Sequence, residues 1–261
     1  MNIIDYWLII LGLLNLLLFF ASLIVFFPRN LWKKPWSEYE NIIKYHLPFL
    51  ALIISIVIVH LLEVNIIDPL ATSFVGTNYT PTIQTIEDGA VHWFSQHWIP
   101  ALVYFFVFIY IILYPFTLWF SLLYFLIADQ RKAMKTFAVS LLLIYSIALP
   151  FYLFVPVTNV YTQYGTTSAL NMVIPGVEHF FYSTTTNNNS FPSLHVAMTL
   201  LVAYTVSLTN NKRYTYFAYF CAICVICSVI YLAIHWITDV LGGIALTSAV
   251  FYLVKRFITE A

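Results

Sequence analysis

Two short stretches of the sequence carry side chains that can act on a phosphate group. The first is Pro192-Ser193-Leu194-His195, at the start of an apolar run. Proline suits the first position of a helix and serine is a good N-cap, so the stretch predicts a helix N-terminus with free backbone N–H groups. Such an end favours anions, phosphate above all, and His195 falls beside it in the first turn.

The second stretch begins at His235 and includes Asp239 four positions later. Residues spaced i, i+4 share one face of a helix, so this carboxylate can accept the imidazole N–H and determine which ring nitrogen is left free. It also stabilises the ring in its charged form. Gly242 and Gly243 follow and allow a neighbouring helix to approach closely. The pair predicts an oriented, nucleophilic histidine packed against the first stretch.

Other readings of these residues stay open at this stage. Asp239 can pair with His235 only to hold two helices together, and His60 reads as a packing residue within an apolar run. Two histidines and one aspartate can also bind zinc. Because the oriented pair explains the residues without a metal, we predict neither a metal nor a cofactor.

The elements that position these residues are membrane helices. Hydrophobic residue types make up 62% of the 261 residues and charged types only 8%. A soluble domain carries about 25% charged residues, so most of this surface must face lipid. The composition predicts a polytopic all-α helical bundle in a bilayer, and the chain has no nucleic-acid-binding patch.

Seven segments are apolar and long enough to span a bilayer, the fifth and seventh only just. They are roughly 6–27, 47–67, 99–127, 137–156, 194–209, 214–234 and 237–254. All 11 Lys and Arg residues fall between spans one and two, three and four, five and six, or after span seven. The positive-inside rule makes that side cytoplasmic. We therefore expect the N-terminus outside, the C-terminus in the cytoplasm and both phosphate-binding stretches at the non-cytoplasmic face.

The long loops predicted on that outer face, 68–98 and 157–193, contain no Lys or Arg. Glu178, His179 and the Asn187–Asn189 run lie just before the first stretch. Either they line a headgroup pocket, which would suit a polyol such as inositol, or they belong to a solvated loop. On the first reading, His179 and Asn189 bind substrate.

The paired stretches resemble the motifs of the type 2 phosphatidic acid phosphatase (PAP2) superfamily of membrane lipid phosphatases and phosphotransferases. The form Phe191-Pro192-Ser193-Leu194-His195 with His235-to-Asp239 is most similar to the branch containing inositol phosphorylceramide synthases. The resemblance covers about 150–254. It implies a catalytic core over 137–261, preceded by the N-terminal spans and first outer loop over 1–136, in a single membrane domain.

The resemblance also implies roles. His235 matches the nucleophile that forms a phosphohistidine, His195 the general acid for the leaving oxygen, and Asp239 the carboxylate that orients the nucleophile. Pro192 and Ser193, with nearby N–H groups, match the phosphate-binding segment. Phospholipids or lipid-linked phosphates are the implied substrates, and no metal is needed.

One departure separates the chain from the phosphatases of this superfamily. They carry Lys and Arg in a first motif and a Ser-Arg pair before the late histidine, whereas here that pair reads Ser228-Val229. Without charge-assisted bonds, a dianionic monoester binds less well than a phosphodiester or a lipid pyrophosphate. This favours phospho-headgroup transfer between lipids. Hydrolysis of a lipid phosphate, a non-catalytic carrier or scaffold, and a transporter remain alternatives.

Overall fold

The computed structural model describes residues 3–27, 35–178 and 185–258, and these residues form a helical bundle. The N-terminal part contains α1 (Ile3–Phe26), α2 (Trp36–Leu62), α3 (Asp68–Val75), α4 (Thr80–Glu87), α5 (Ala90–Gln96), α6 (Pro100–Phe108) and α7 (Tyr114–Ile127). The C-terminal part contains α8 (Arg131–Phe154), α9 (Val160–Gln163), α10 (Ala169–Val173), α11 (Leu194–Ser207), α12 (Lys212–Tyr231) and α13 (Ile237–Ile258). Short π-helical turns, Glu63–Ile67 and Ile109–Leu113, join α2 to α3 and α6 to α7.

The predicted all-α, multi-pass architecture is confirmed. Within the described ranges, six helical stretches are long and apolar enough to cross a bilayer, and they correspond to six of the seven expected spans. The remaining span is α11, an apolar helix of 14 residues. Its buried residues include Ala197, Leu201 and Val206, each 0% exposed. A short helix suffices there because α11 packs inside the bundle, against α7, α8, α12 and α13.

The second span differs from the predicted 47–67. It is continuous over Ser37–Val75, so the expected outer loop begins with helix, and α4 and α5 occupy much of the rest. The sequence reading ended the span at position 67, directly before Asp68, and already included Glu63. Both carboxylates are buried, at 0% and 3% exposure, because side chains of the loop before α11 donate hydrogen bonds to them. Asn189 donates to Glu63 at 2.9 Å and Asn188 to Asp68 at 3.4 Å.

The third span, predicted as 99–127, is helical over Pro100–Ile127. The sequence analysis did not anticipate the π turn Ile109–Leu113, which comes directly before the α7 segment that contains Pro115. π turns of this kind are frequent at functional sites. Here the turn contains Tyr110, whose contact with a histidine is described below.

Side-chain contacts bring the basic segments together at one end of the bundle. Near the start of α2, the His46 ring lies 3.0 Å from the Asp129 carboxylate in the α7–α8 turn. Asn211, in the α11–α12 turn, donates to the Phe26 carbonyl at the end of α1. The basic residues 29, 33 and 34 lie outside the described residues.

At the opposite end of the bundle, hydrogen bonds hold together the connections that contain no Lys or Arg. The indole N–H of Trp236, a fully buried residue before α13, donates to the Thr158 carbonyl at 2.8 Å. The Thr158 amide in turn donates to the Thr80 hydroxyl at the start of α4. Trp98 donates across to the Tyr231 carbonyl at the end of α12. These bonds attach the first outer connection to the ends of α12 and α13, where His235 lies.

Gly243 lets α13 touch the segment that begins α11. A β-carbon added there would lie 2.6 Å from the Ser193 carbonyl oxygen and 3.1 Å from the Val196 side chain. The backbone of α13 at Gly243 therefore packs directly against the start of α11, as the sequence analysis expected of this glycine pair.

We expect Gly243→Ala to destabilise the protein by about 1–3 kcal/mol and to lower activity, because the new methyl group must push the Ser193 backbone away. Thermal unfolding in detergent and turnover of a lipid phosphoester measure the two effects. Gly12→Ala in α1 is the matched control, since nothing lies within 4 Å of the added carbon. Equal behaviour of the two variants would contradict the close contact.

Candidate active site

The segment before α11 is held by backbone and side-chain hydrogen bonds from two helices. Ser193 is fully buried, and its hydroxyl caps α11 by accepting from the Val196 amide at 3.4 Å. Its own amide donates to the Asp239 carbonyl at 3.0 Å. The Tyr152 hydroxyl, from α8, donates to the Pro192 carbonyl at 2.7 Å. The start of α11 is therefore fixed relative to both α8 and α13.

Asp239 lies in the first turn of α13 and orients the ring of His235. Its Oδ2 is 3.2 Å from Nδ1 of His235 and accepts the Trp236 amide at 2.9 Å. Asp239 is 0% and His235 4% exposed. Because a carboxylate only accepts, His235 must carry its proton on Nδ1, which leaves the lone pair on Nε2.

The lone pair of His235 points at the second histidine. Nε2 of His235 lies 3.0 Å from Nδ1 of His195, and Nε2 of His195 lies 2.8 Å from the Tyr110 hydroxyl. When both rings are neutral, the protonation of His235 determines the rest. His195 donates from Nδ1, and Tyr110 donates to its Nε2. A polar chain thus runs from Tyr110 through both imidazoles to the Asp239 carboxylate.

Both histidines line a partly open cavity of about 530 Å³. One end is polar and contains His60, Tyr145, Asn159, Glu178, Asn189 and Ser190 as well as the two histidines. The other end is lined by apolar residues of α2, α7 and α8, among them Ile53, Leu118, Leu122 and Leu141. A cavity with a polar and an apolar end suits an amphipathic ligand.

Not every predicted site residue reaches this cavity. Asn189 lines it, whereas Pro192 and Ser193 lie outside its lining, and the Ser193 hydroxyl is engaged in the helix cap. His179 lies outside the described residues. Contact of these residues with substrate stays a prediction. The first turn of α11 lies at the cavity wall through Leu194 and His195.

Two residues that support the site were not found by sequence reasoning. Tyr110 sits in an apolar, aromatic-rich run and has no local signal, because 85 positions separate it from His195. Glu87 lies within the predicted outer loop 68–98 and belongs to neither of the two motif stretches. Its two carboxylate oxygens accept the amides of Ile237 and Thr238, at 3.1 and 2.7 Å. It therefore caps α13, the helix that carries Asp239, from a distant part of the chain.

We expect Glu87→Gln to lower kcat by about 10- to 100-fold and to change KM little, because a glutamine accepts only one of the two amides and the first turn of α13 shifts. Steady-state kinetics on a lipid phosphoester separate the two constants. Glu40→Gln is the matched control, since Glu40 pairs with Lys44 on an exposed face at the basic end. An unchanged kcat for Glu87→Gln would show that the cap does not position the site.

Comparison with known families places the chain in a class. A family model described as the PAP2 superfamily matches residues 82–253, well over half of the chain. The chain belongs to the PAP2 superfamily, whose members are membrane lipid phosphatases and phosphotransferases. Searches of curated proteins and of solved structures gave no match. The matched region contains Glu87, Tyr110, both histidines and Asp239.

Proposed function

We propose that this protein transfers a phospho-headgroup from one lipid to the hydroxyl of another through a phosphohistidine on His235, as inositol phosphorylceramide synthases do. The observation that carries the proposal is the chain Asp239–His235–His195, with links of 3.2 and 3.0 Å, at the wall of an amphipathic cavity. An imidazole oriented by a carboxylate and facing a second imidazole is a nucleophile paired with an acid–base group.

In the first half-reaction the phosphodiester enters between the two rings. Nε2 of His235 attacks phosphorus, and the bond between phosphorus and the oxygen of the lipid alcohol breaks. His195, protonated on both nitrogens beside the anionic phosphate, gives its Nδ1 proton to that oxygen and becomes neutral. Asp239 stabilises the positive charge on the phosphorylated His235 ring. Tyr110 accepts from Nε2 of the charged His195 and keeps accepting after the transfer, because the neutral ring then carries its remaining proton on Nε2.

In the second half-reaction the acceptor hydroxyl takes the place of the departed alcohol. Nδ1 of neutral His195 removes its proton while its oxygen attacks phosphorus. The bond between phosphorus and Nε2 of His235 then breaks, and His235 returns to its resting state. Leaving-group protonation and nucleophile deprotonation are thus performed by one imidazole in turn.

The charge of the cavity supports a diester substrate. Among the described residues that line it, none is Lys or Arg. A phosphate held without a guanidinium or ammonium group is better accommodated with one negative charge than with two. The start of α11 offers helix-end N–H groups beside His195, which suit a singly charged phosphate.

The reaction is placed in one leaflet of the bilayer. The histidines lie at the end of the bundle opposite the basic connections, so the positive-inside rule assigns the reaction to the non-cytoplasmic leaflet. The N-terminus then lies outside and the C-terminus in the cytoplasm. Phospholipids of that leaflet are the donors, and no partner besides the bilayer is invoked.

Hydrolysis of a lipid phosphate or pyrophosphate is the second candidate, because water in place of the acceptor hydroxyl would complete the same cycle. A phospholipid labelled in its phosphate, incubated with the purified protein and candidate acceptor lipids, distinguishes the two. Label in a new lipid means transfer, and label only in a free phospho-headgroup means hydrolysis. A non-catalytic carrier would release neither.

The intermediate itself is the direct test. We expect acid-labile, alkali-stable label on the protein after a rapid quench, mapped to the peptide containing His235. Turnover without any protein-bound label, in a quench fast enough to sample the first cycle, would contradict the phosphohistidine mechanism.

A further inference from the structure

One polar part of the cavity wall takes no part in the proposed chemistry. It is built around Glu63, on the π turn after α2, whose side chain is fully buried. Asn189 donates to its Oε1 at 2.9 Å, and Oε2 lies 3.5 Å from the Tyr145 hydroxyl and 3.4 Å from the His60 ring. The three residues around this carboxylate all line the cavity. A buried negative charge therefore lies directly behind the wall.

The orientation of Asn189 follows from this contact. Because the Glu63 carboxylate only accepts, the amide must turn its NH₂ group toward it. The amide oxygen then remains, and it is buried without a hydrogen-bond partner among the described residues. The same is true of Oε1 of Glu178, which also lines the cavity. The cavity lining thus contains two buried acceptors that lack donors among the described residues, a costly arrangement unless a ligand supplies them.

The acidic side chains and the tyrosine rings of the cavity indicate the chemical class of this ligand. Glu178 and Glu63 are both acidic, and within the described lining no Lys or Arg offsets them. A phosphate bound at the histidines adds another negative charge to the same cavity. Five tyrosines also line it: Tyr110, Tyr114, Tyr145, Tyr152 and Tyr161. Carboxylates and tyrosine rings together are the surroundings in which proteins bind organic cations.

We propose that this wall binds a primary ammonium group in the phospho-headgroup of the donor lipid, so that the donor is a zwitterionic aminoalkyl phosphodiester. The inference rests on the proposed function and specifies its substrate class. A primary ammonium has three N–H groups, which satisfy the acceptors on Asn189 and Glu178 and offset the charge of Glu63. A polyol supplies donors without the charge, and a quaternary ammonium supplies the charge without donors.

Three donor lipids with identical acyl chains test the proposal: phosphatidylethanolamine, phosphatidylcholine and phosphatidylinositol. The full-length protein is placed in vesicles with one donor and a common lipid-alcohol acceptor, and released diacylglycerol is measured. We expect phosphatidylethanolamine to be turned over with a kcat/KM about tenfold above either of the others. Equal or faster turnover of phosphatidylcholine or phosphatidylinositol would overturn the inference.

Isosteric variants connect this preference to the wall. Glu178→Gln and Glu63→Gln remove a negative charge with little change of shape. We expect each to lower the ratio of phosphatidylethanolamine turnover to phosphatidylinositol turnover about fivefold or more, because only the first donor carries the ammonium group. Glu40→Gln, at the basic end, should change neither. If a variant lowered the turnover of all three donor lipids by the same factor, the assignment of the ammonium site to this wall would be overturned.

The outcomes separate this inference from the function on which it rests. If the wild-type protein released diacylglycerol from none of the three donors, the proposed transfer would itself be wrong. If it released diacylglycerol without preferring the primary amine, cleavage of the donor phosphodiester would stand and only the ammonium site would fall. The ranking of donors by the wild-type protein decides this even if a variant does not fold.

Discussion

Replacing His235 with alanine is expected to lower lipid phosphoester turnover by about 10⁴-fold or more, because the variant lacks the atom that attacks phosphorus. The fold should persist, because Asp239 keeps the Trp236 amide as a donor when the ring is removed. Diacylglycerol release by purified protein in mixed micelles measures the rate. Protein-bound label from a phosphate-labelled lipid should disappear together with turnover.

His97→Ala is the matched control for this variant. His97 is exposed at the same end of the bundle, and its ring bonds only to the Trp93 carbonyl of its own helix among the hydrogen bonds described. Its removal should leave turnover unchanged. If His235→Ala kept substantial activity on phosphodiester, monoester and pyrophosphate lipids alike, the phosphohistidine proposal would be wrong, and a carrier or another nucleophile would have to be considered.

Replacing Asp239 with asparagine is expected to lower kcat by about 10³-fold, the second-largest effect. The Trp236 amide must still be accepted, so the asparagine oxygen takes the position of Oδ2 and also accepts from His235. The ring therefore keeps its orientation and loses only the negative charge that stabilises it once phosphorylated. Comparison with Asp239→Ala, which loses orientation as well, should show a further decrease.

Asp239→Asn has a second consequence for stability. Its NH₂ group occupies the position of Oδ1, a buried atom without a hydrogen-bond partner within the described part of the chain. An unsatisfied buried donor costs about 1–3 kcal/mol, so the unfolding temperature should fall modestly. Asp88→Asn, in the exposed turn after Glu87, is the matched control and should change neither quantity. A kcat for Asp239→Asn near that of the wild type would show that its charge has no role.

A double variant tests whether Asp239 acts only through His235. If His235 is the nucleophile and Asp239 acts through it, the double variant His235→Ala with Asp239→Asn should be no less active than His235→Ala alone. Residues that act as one unit are strongly non-additive in this way. An additive loss would place Asp239 in direct contact with substrate instead.

The sequence by itself determined the environment, the helical architecture and the short-range half of the site. Composition and the length of the apolar runs identify bilayer spans, because hydrocarbon tolerates few charged groups. The i, i+4 spacing correctly paired His235 with Asp239, although the structure places His235 two residues before α13 and not on its face. The Ser193 cap was likewise readable from residue type and position. These features depend on neighbours within a few positions, which is the range over which a helix imposes its geometry.

Only the tertiary structure decided which distant side chains meet. The Tyr110 contact, the Glu87 cap and the Glu63–Asn189 bond join positions 85 to 150 residues apart. The approach of His195 to His235 was expected from the sequence, but the pair of nitrogens that meet was not. A long-range contact also explains the error in the second span. Asp68 directly follows the predicted span, but Asn188 of a distant loop donates to it, and the helix continues with Asp68 buried. Such partners depend on helix packing, which local patterns do not specify.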